Sequence, residues 1–144
     1  MFRSEVLQRA DAAWSEWREF LAGEAAAGRA ARAGADGWTL AEAVAHVARW
    51  QEWAAGLMPA LAAGERLQVP DIDSQNAAWA GDDRGVGIED SLSLNDGSWA
   101  RLRSAVEGVP EEHWSRTIAR LVEANTWAHY AEHQAWHPGR RLKG

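Results

Sequence analysis

The sequence predicts an all-α protein, a four-helix bundle with a long crossover between its second and third helices. Three observations predict it. Apolar residues recur at three- and four-residue steps over four segments of roughly 15 to 20 residues. No segment shows the sustained alternation of a half-buried strand. The span ERLQVPDIDSQNAAWAGDDRGVG, rich in Asp and Gly and holding Pro70, separates the second helical segment from the third. The 144 residues fit one domain, 1–144.

The first helix is expected from about Ser4 to Gly23, with Ser4 as its N-cap. Val6, Leu7, Ala10, Trp14, Trp17, Phe20 and Leu21 form its apolar face. The small, glycine-punctuated GEAAAGRAARAGADG reads as a connection. The second helix opens at WTLAEA, where Thr39 and Glu42 form a capping box and Trp38 stands at the staple position. Pro59 is expected to bend or interrupt it. A short helical piece falls around Asp73 to Trp79 within the crossover. The third helix spans about Ile88 to Val106, with an interruption expected at Asn95, Asp96 and Gly97. The last runs from about Leu121, or slightly earlier, to Trp136, where Pro138 and Gly139 stop it; SRTIARLV at 115–122 alternates a little but allows helix equally.

Hydrophobic residues make up 47% of the chain, enough for a core, with ten tryptophans as wide fillers among many alanines. The net charge of −6 argues against nucleic acid as a partner, since that affinity rests on Lys and Arg. The basic HPGRRLK at 137–143 reads as a solvated tail. Without cysteine there is no disulfide, thiolate ligand or cysteine nucleophile. No segment approaches the roughly 20 apolar residues of a membrane span, and the N-terminus lacks a secretory leader. The expectation is a cytoplasmic protein with no membrane partner.

The chemistry gathers near the C-terminus. NTWAHYAEHQAWH, residues 125–137, holds three of the five histidines. His129 and His133 are four residues apart, hence one turn apart on one helix face. Val122, Asn125 and Trp136 share that face, so it points inward. Two ligands do not complete a catalytic zinc-type site, which uses three protein ligands and an open position. His46 is the candidate third. It lies mid-helix among Ala43, Trp50 and Trp53, where an imidazole needs a partner for its ring nitrogens. A hydrogen-bonded core histidine is the plainer reading of His46 alone; the pair on the other helix shifts the balance to metal. His113 and His137 occupy polar ends and are not expected as ligands. Three imidazoles suit zinc, nickel or ferrous iron.

His129, Glu132 and His133 also spell H-x-x-E-H, a metallopeptidase signature. Only eleven residues follow His133, none acidic, so the peptidase reading is set aside. Glu132 remains a candidate catalytic acid–base or histidine-orienting residue, against the plainer role of a surface glutamate. Trp50, Trp53, Asn125 and Trp136 lie about a turn from the histidines and are candidate pocket residues, as is Asn76 of the crossover. Core packing is their alternative role.

GWTLAEAVAHVARWQEW resembles the second helix of DinB/YfiT-like proteins, and NTWAHYAEHQAW resembles their last bundle helix. DIDSQNAAWA and VPEEHW resemble the branch that includes the colibactin self-resistance protein and related DinB-like proteins. The resemblance covers about residues 5–137. It implies an up-up-down-down bundle and a divalent metal, often zinc or nickel, on His46, His129 and His133. It also implies a low-molecular-weight thiol cofactor, such as bacillithiol, mycothiol or glutathione, and a homodimer. A thiol arriving with the cosubstrate fits a chain without cysteine. Three readings follow. One is a metal-dependent thiol transferase or hydrolase acting on a small-molecule substrate. The second is a metal-independent hydrolase or sequestering resistance protein using the same pocket. The third is a non-enzymatic bundle.

Overall fold

The computed structural model describes residues 1–35 and 37–136. Among these the chain forms α1 (Arg3–Ala26), α2 (Leu40–Ala62), α3 (Ile72–Asp83), α4 (Ile88–Glu107), α5 (Arg116–Asn125) and α6 (Trp127–Trp136), with no strand. A single 3-10 turn, Glu111–His113, precedes α5. Four long elements, α1, α2, α4 and the α5–α6 pair, make the bundle, and α3 lies in the crossover. The most extensive helix pairing is α2 against α4.

The apolar face of α1 packs as its spacing requires: Val6, Ala10, Trp17 and Leu21 are buried. Ser4 is not the cap. The helix starts at Arg3 behind Phe2, and no side chain caps it, so Ser4 falls inside the first turn. Its end lies beyond Gly23, at Ala26, because the alanines after that glycine continue the helix. At the start of α2 the capping box forms as the sequence indicates. Thr39 Oγ1 accepts from the Glu42 amide at 3.0 Å, and Glu42 Oε1 accepts from the Thr39 amide at 2.9 Å. Pro59 does not interrupt α2, which continues past it to Ala62; it sits exposed in the last turn.

α4 is also unbroken through Asn95, Asp96 and Gly97. Asn95 is fully buried, and its side chain bonds outward to other helices rather than to its own backbone. Its Oδ1 accepts from Trp17 Nε1 at 2.8 Å, and its Nδ2 donates to Gln51 Oε1 at 3.0 Å. Ser98 Oγ donates to the same Gln51 oxygen at 2.7 Å. Gln51 Nε2 in turn donates to the Asn125 carbonyl at 3.1 Å and to the Tyr130 hydroxyl. This network ties α1, α2, α4 and the α5–α6 junction across the core. Around it lie two apolar clusters, one centred on Met58, Leu102 and Ile118, the other on Trp17, Leu40 and Tyr130. Trp17 stacks on Tyr130 with ring centroids 5.1 Å apart.

The last helix is not continuous. It breaks at Thr126, whose φ of −127° and ψ of −105° leave the helical region. The Thr126 hydroxyl donates to the Val122 carbonyl at 2.7 Å, and its own carbonyl accepts from the Tyr130 amide at 2.9 Å. One residue thus closes α5 and opens α6. The basic tail and His137 lie outside the described residues.

Candidate metal centre

α2 and α6 carry the three histidines to one point. His46 Nε2 lies 3.2 Å from His129 Nε2, and His133 Nε2 lies 3.1 Å from that same atom. One ligand atom from each of the three residues falls within 4.8 Å of the others. His129 and His133 are buried and His46 is partly exposed, on the side where the site opens. Trp38, just before the capping box, lies against His46 with ring centroids 4.8 Å apart.

The arrangement cannot be explained by hydrogen bonding alone. An imidazole nitrogen offers one lone pair or one proton, so His129 Nε2 can bond one of its two Nε2 neighbours but not both. A divalent ion resolves this. Tetrahedral ligands about 2.05 Å from zinc stand roughly 3.3 Å from one another, close to the separations found here. Burial holds the His129 pKa well below its ordinary value of 6.5, and the adjoining His133 and His46 rings lower it further. A neutral imidazole is the form that ligates. The donor set, three imidazole nitrogens with one partly open side, therefore fits a divalent metal. His129 Nδ1 is buried and has no partner among the described residues.

The histidines form one end of a cavity of about 690 Å³. Trp50, Trp53, Asn76, Asn125 and Glu132 all line it. Trp50 Nε1 donates to Asn76 Oδ1 at 2.8 Å, which joins α2 to α3 across the cavity wall. Trp50 also packs edge-on against Trp53 and Trp79, with centroids 5.1 and 4.9 Å away. Asn125 spends its amide on the Leu121 carbonyl at 2.8 Å. Glu132 is exposed at the edge of the cavity. The backbone of Trp136 ends α6, but its side chain is outside what is described. His113 is exposed and does not line this cavity; it lines a neighbouring groove with Ser115 and Arg66 that shares Leu67 and Thr117 with it.

Several lining residues were not anticipated from sequence. Leu67, Val69 and Ile72 of the crossover form an apolar lip. Thr117, Arg120 and Ala124 face the cavity from α5. Their spacing of three and four residues was a usable signal, weakened because residues 115–122 read equally as a strand or a helix. A smaller cavity of about 300 Å³ lies on the other side of Trp38 and His46, lined by Glu42, Trp79, Asp83 and Arg84. Its floor is fixed by Arg49, whose guanidinium binds both Asp83 oxygens at 2.8 and 3.2 Å.

Fold and site together define a helical bundle with an inter-helix histidine triad whose ligand atoms stand close enough to share one metal ion. Residues 10–137 match the family model described as the mycothiol maleylpyruvate isomerase N-terminal domain. The chain belongs to that family, within the DinB/YfiT-like helical superfamily. Searches of curated proteins and of solved structures found no match.

Proposed function

We propose that this protein is a divalent-metal-dependent enzyme that joins a low-molecular-weight thiol to a small-molecule substrate, or isomerises or hydrolyses such a substrate, in the 690 Å³ cavity. The observation that carries this is His129 Nε2, set 3.1 and 3.2 Å from two other imidazole nitrogens that it cannot both bond. The family name, with its mycothiol-using isomerase, supports a thiol as the co-reactant. His46, His129 and His133 would hold zinc or nickel. When bound, the ion supplies Lewis acidity toward a thiol or a water.

The chain's own residues supply the rest. Glu132, beside His133 and at the cavity edge, accepts the proton released by that thiol or water. The Trp50 and Trp53 indoles give the substrate an apolar bed and exclude water from the reacting end. The Trp50–Asn76 hydrogen bond keeps that bed in place against α3.

The test is metal content by mass spectrometry on the purified protein and on His46→Ala, followed by titration of each with mycothiol, bacillithiol and glutathione. The proposal expects a near-stoichiometric ion and metal-dependent binding of one thiol, both lost in the variant. No metal in the wild type, even after reconstitution with zinc and nickel, overturns it. Activity that survived chelation would turn the reading toward a metal-free resistance-type hydrolase of the colibactin branch.

A further inference from the structure

We propose that the substrate carries a carboxylate set apart from its reacting end, and that Arg120 is the residue that binds it. This deepens the reading of the 690 Å³ cavity as the substrate site and rests on it. Arg120 is the one guanidinium or ammonium among the described residues lining that cavity. Elsewhere on the bundle, Arg18, Arg29, Arg49 and Arg103 are matched to Asp96, Glu24, Asp83 and Asp11. Arg120 has no such match, and no ion pair or hydrogen bond of its side chain occurs among the described residues. Glu132 lines the same cavity without pairing to it.

Position makes the unmatched charge informative. Thr117, Arg120 and Ala124 form one stripe of α5 along the cavity, with Asn125 at the end nearer the histidine-bearing helix. Arg120 stands five residues before Asn125, roughly 7.5 Å along the helix. Trp50, Trp53, Leu67 and Ile72 give the same cavity apolar walls. The cavity therefore combines two polar groups of different chemistry with an apolar lining. A planar guanidinium fork matches a carboxylate with two parallel hydrogen bonds, and the Thr117 hydroxyl on the same stripe adds a third donor. A ligand with an apolar body and a terminal carboxylate fills all three parts.

The test uses phenylalkanoates from phenylacetate to 5-phenylvalerate, each beside its primary amide, with binding followed by NMR. Wild type, Arg120→Ala and Arg120→Lys are titrated both zinc-loaded and metal-free. The expected result is that at least one acid binds about tenfold more tightly than its amide. That preference should vanish in Arg120→Ala, return in part in Arg120→Lys and persist without metal. Equal binding of every acid and amide, or no binding of any acid, overturns the proposal. A preference kept in Arg120→Ala but lost on metal removal assigns the carboxylate to the metal; it overturns the role of Arg120 while leaving the metal reading intact.

Discussion

Gln51 and His46 stand five residues apart on α2 and anchor two buried polar groups that are completed in opposite ways. Around Gln51 the hydrogen bonds close. Both of its amide protons are donated, to the Asn125 carbonyl and the Tyr130 hydroxyl, and its oxygen accepts from Asn95 and Ser98. Around His46 the imidazoles crowd instead: His129 Nε2 faces two ring nitrogens and can serve one. A satisfied network inside a low-dielectric core fixes the relative placement of the helices. A buried polar atom such as His129 Nδ1, with no partner among the described residues, is a cost that a ligand on the same ring could offset. The first group is architecture for the second: by binding the α5–α6 junction it positions the helix that carries His129 and His133.

The sharpest way to break this comparison is Gln51→Leu. It takes the donor from the Asn125 carbonyl and the Tyr130 hydroxyl and leaves Asn95 Nδ2 and Ser98 Oγ only their bonds within that pair, and urea denaturation should show a loss of about 3–5 kcal/mol. His46→Ala should show the reverse pattern, with little loss of stability in metal-free protein.

The second effect is smaller and belongs to the ion. Zinc at one hundred times its dissociation constant should raise the unfolding free energy of the wild type by about 2.7 kcal/mol. The same titration should leave His129→Ala nearly unmoved, and should still stabilise Gln51→Leu. Zinc stabilisation of His129→Ala equal to that of the wild type would remove the triad from consideration.

A pH titration of metal-free protein sharpens the contrast further. His129 is held neutral in the fold by burial and by the neighbouring imidazoles, so the unfolded chain takes up its proton first. Stability should therefore be intact above pH 6.5 and fall below it, by roughly 1.4 kcal/mol per pH unit for one proton. His129→Leu should flatten that fall, whereas the Gln51 network, having no group that titrates there, should contribute nothing to it.

The smallest effect lies at the helix start. The Glu42 carboxyl is held below its ordinary 4.5 by backbone amides of Thr39 and Gly85. Gly85 reaches it from a left-handed conformation, with φ at +76°, that a side-chain-bearing residue rarely adopts. A lowered carboxyl pKa adds stability above the unfolded value and loses it as the pH falls through the folded one. Glu42→Gln should thus cost about 0.5–1 kcal/mol at pH 7 and much less at pH 3. Thermal melts of both proteins across that range would measure it.

The same two groups show what the sequence could reveal. The histidine triad was legible because its features are periodic: His129 and His133 repeat at four, and His46 interrupts an apolar stripe. The capping box was legible because Thr39 and Glu42 stand at a fixed spacing. The Gln51 network was not. Asn95 and Ser98 are polar residues in a helix, and pattern alone reads such residues as surface or as a break; only the tertiary contacts with Trp17 and Gln51 show that they point inward. The break at Thr126 was hidden for a related reason. No Pro or Gly marks it, and the hydroxyl that caps the turn is indistinguishable in sequence from one on an ordinary helix face. Arg120 went unseen because residues 115–122 read equally as a strand or a helix.

The indole of Trp38, 4.8 Å from the His46 ring, has a practical consequence. An open-shell ion such as nickel, bound to that imidazole, would drain the excited state of the nearby indole, whereas closed-shell zinc would leave its emission bright. Nickel and zinc titrations should therefore differ in how far they quench the indole emission, by the share that Trp38 contributes among ten tryptophans.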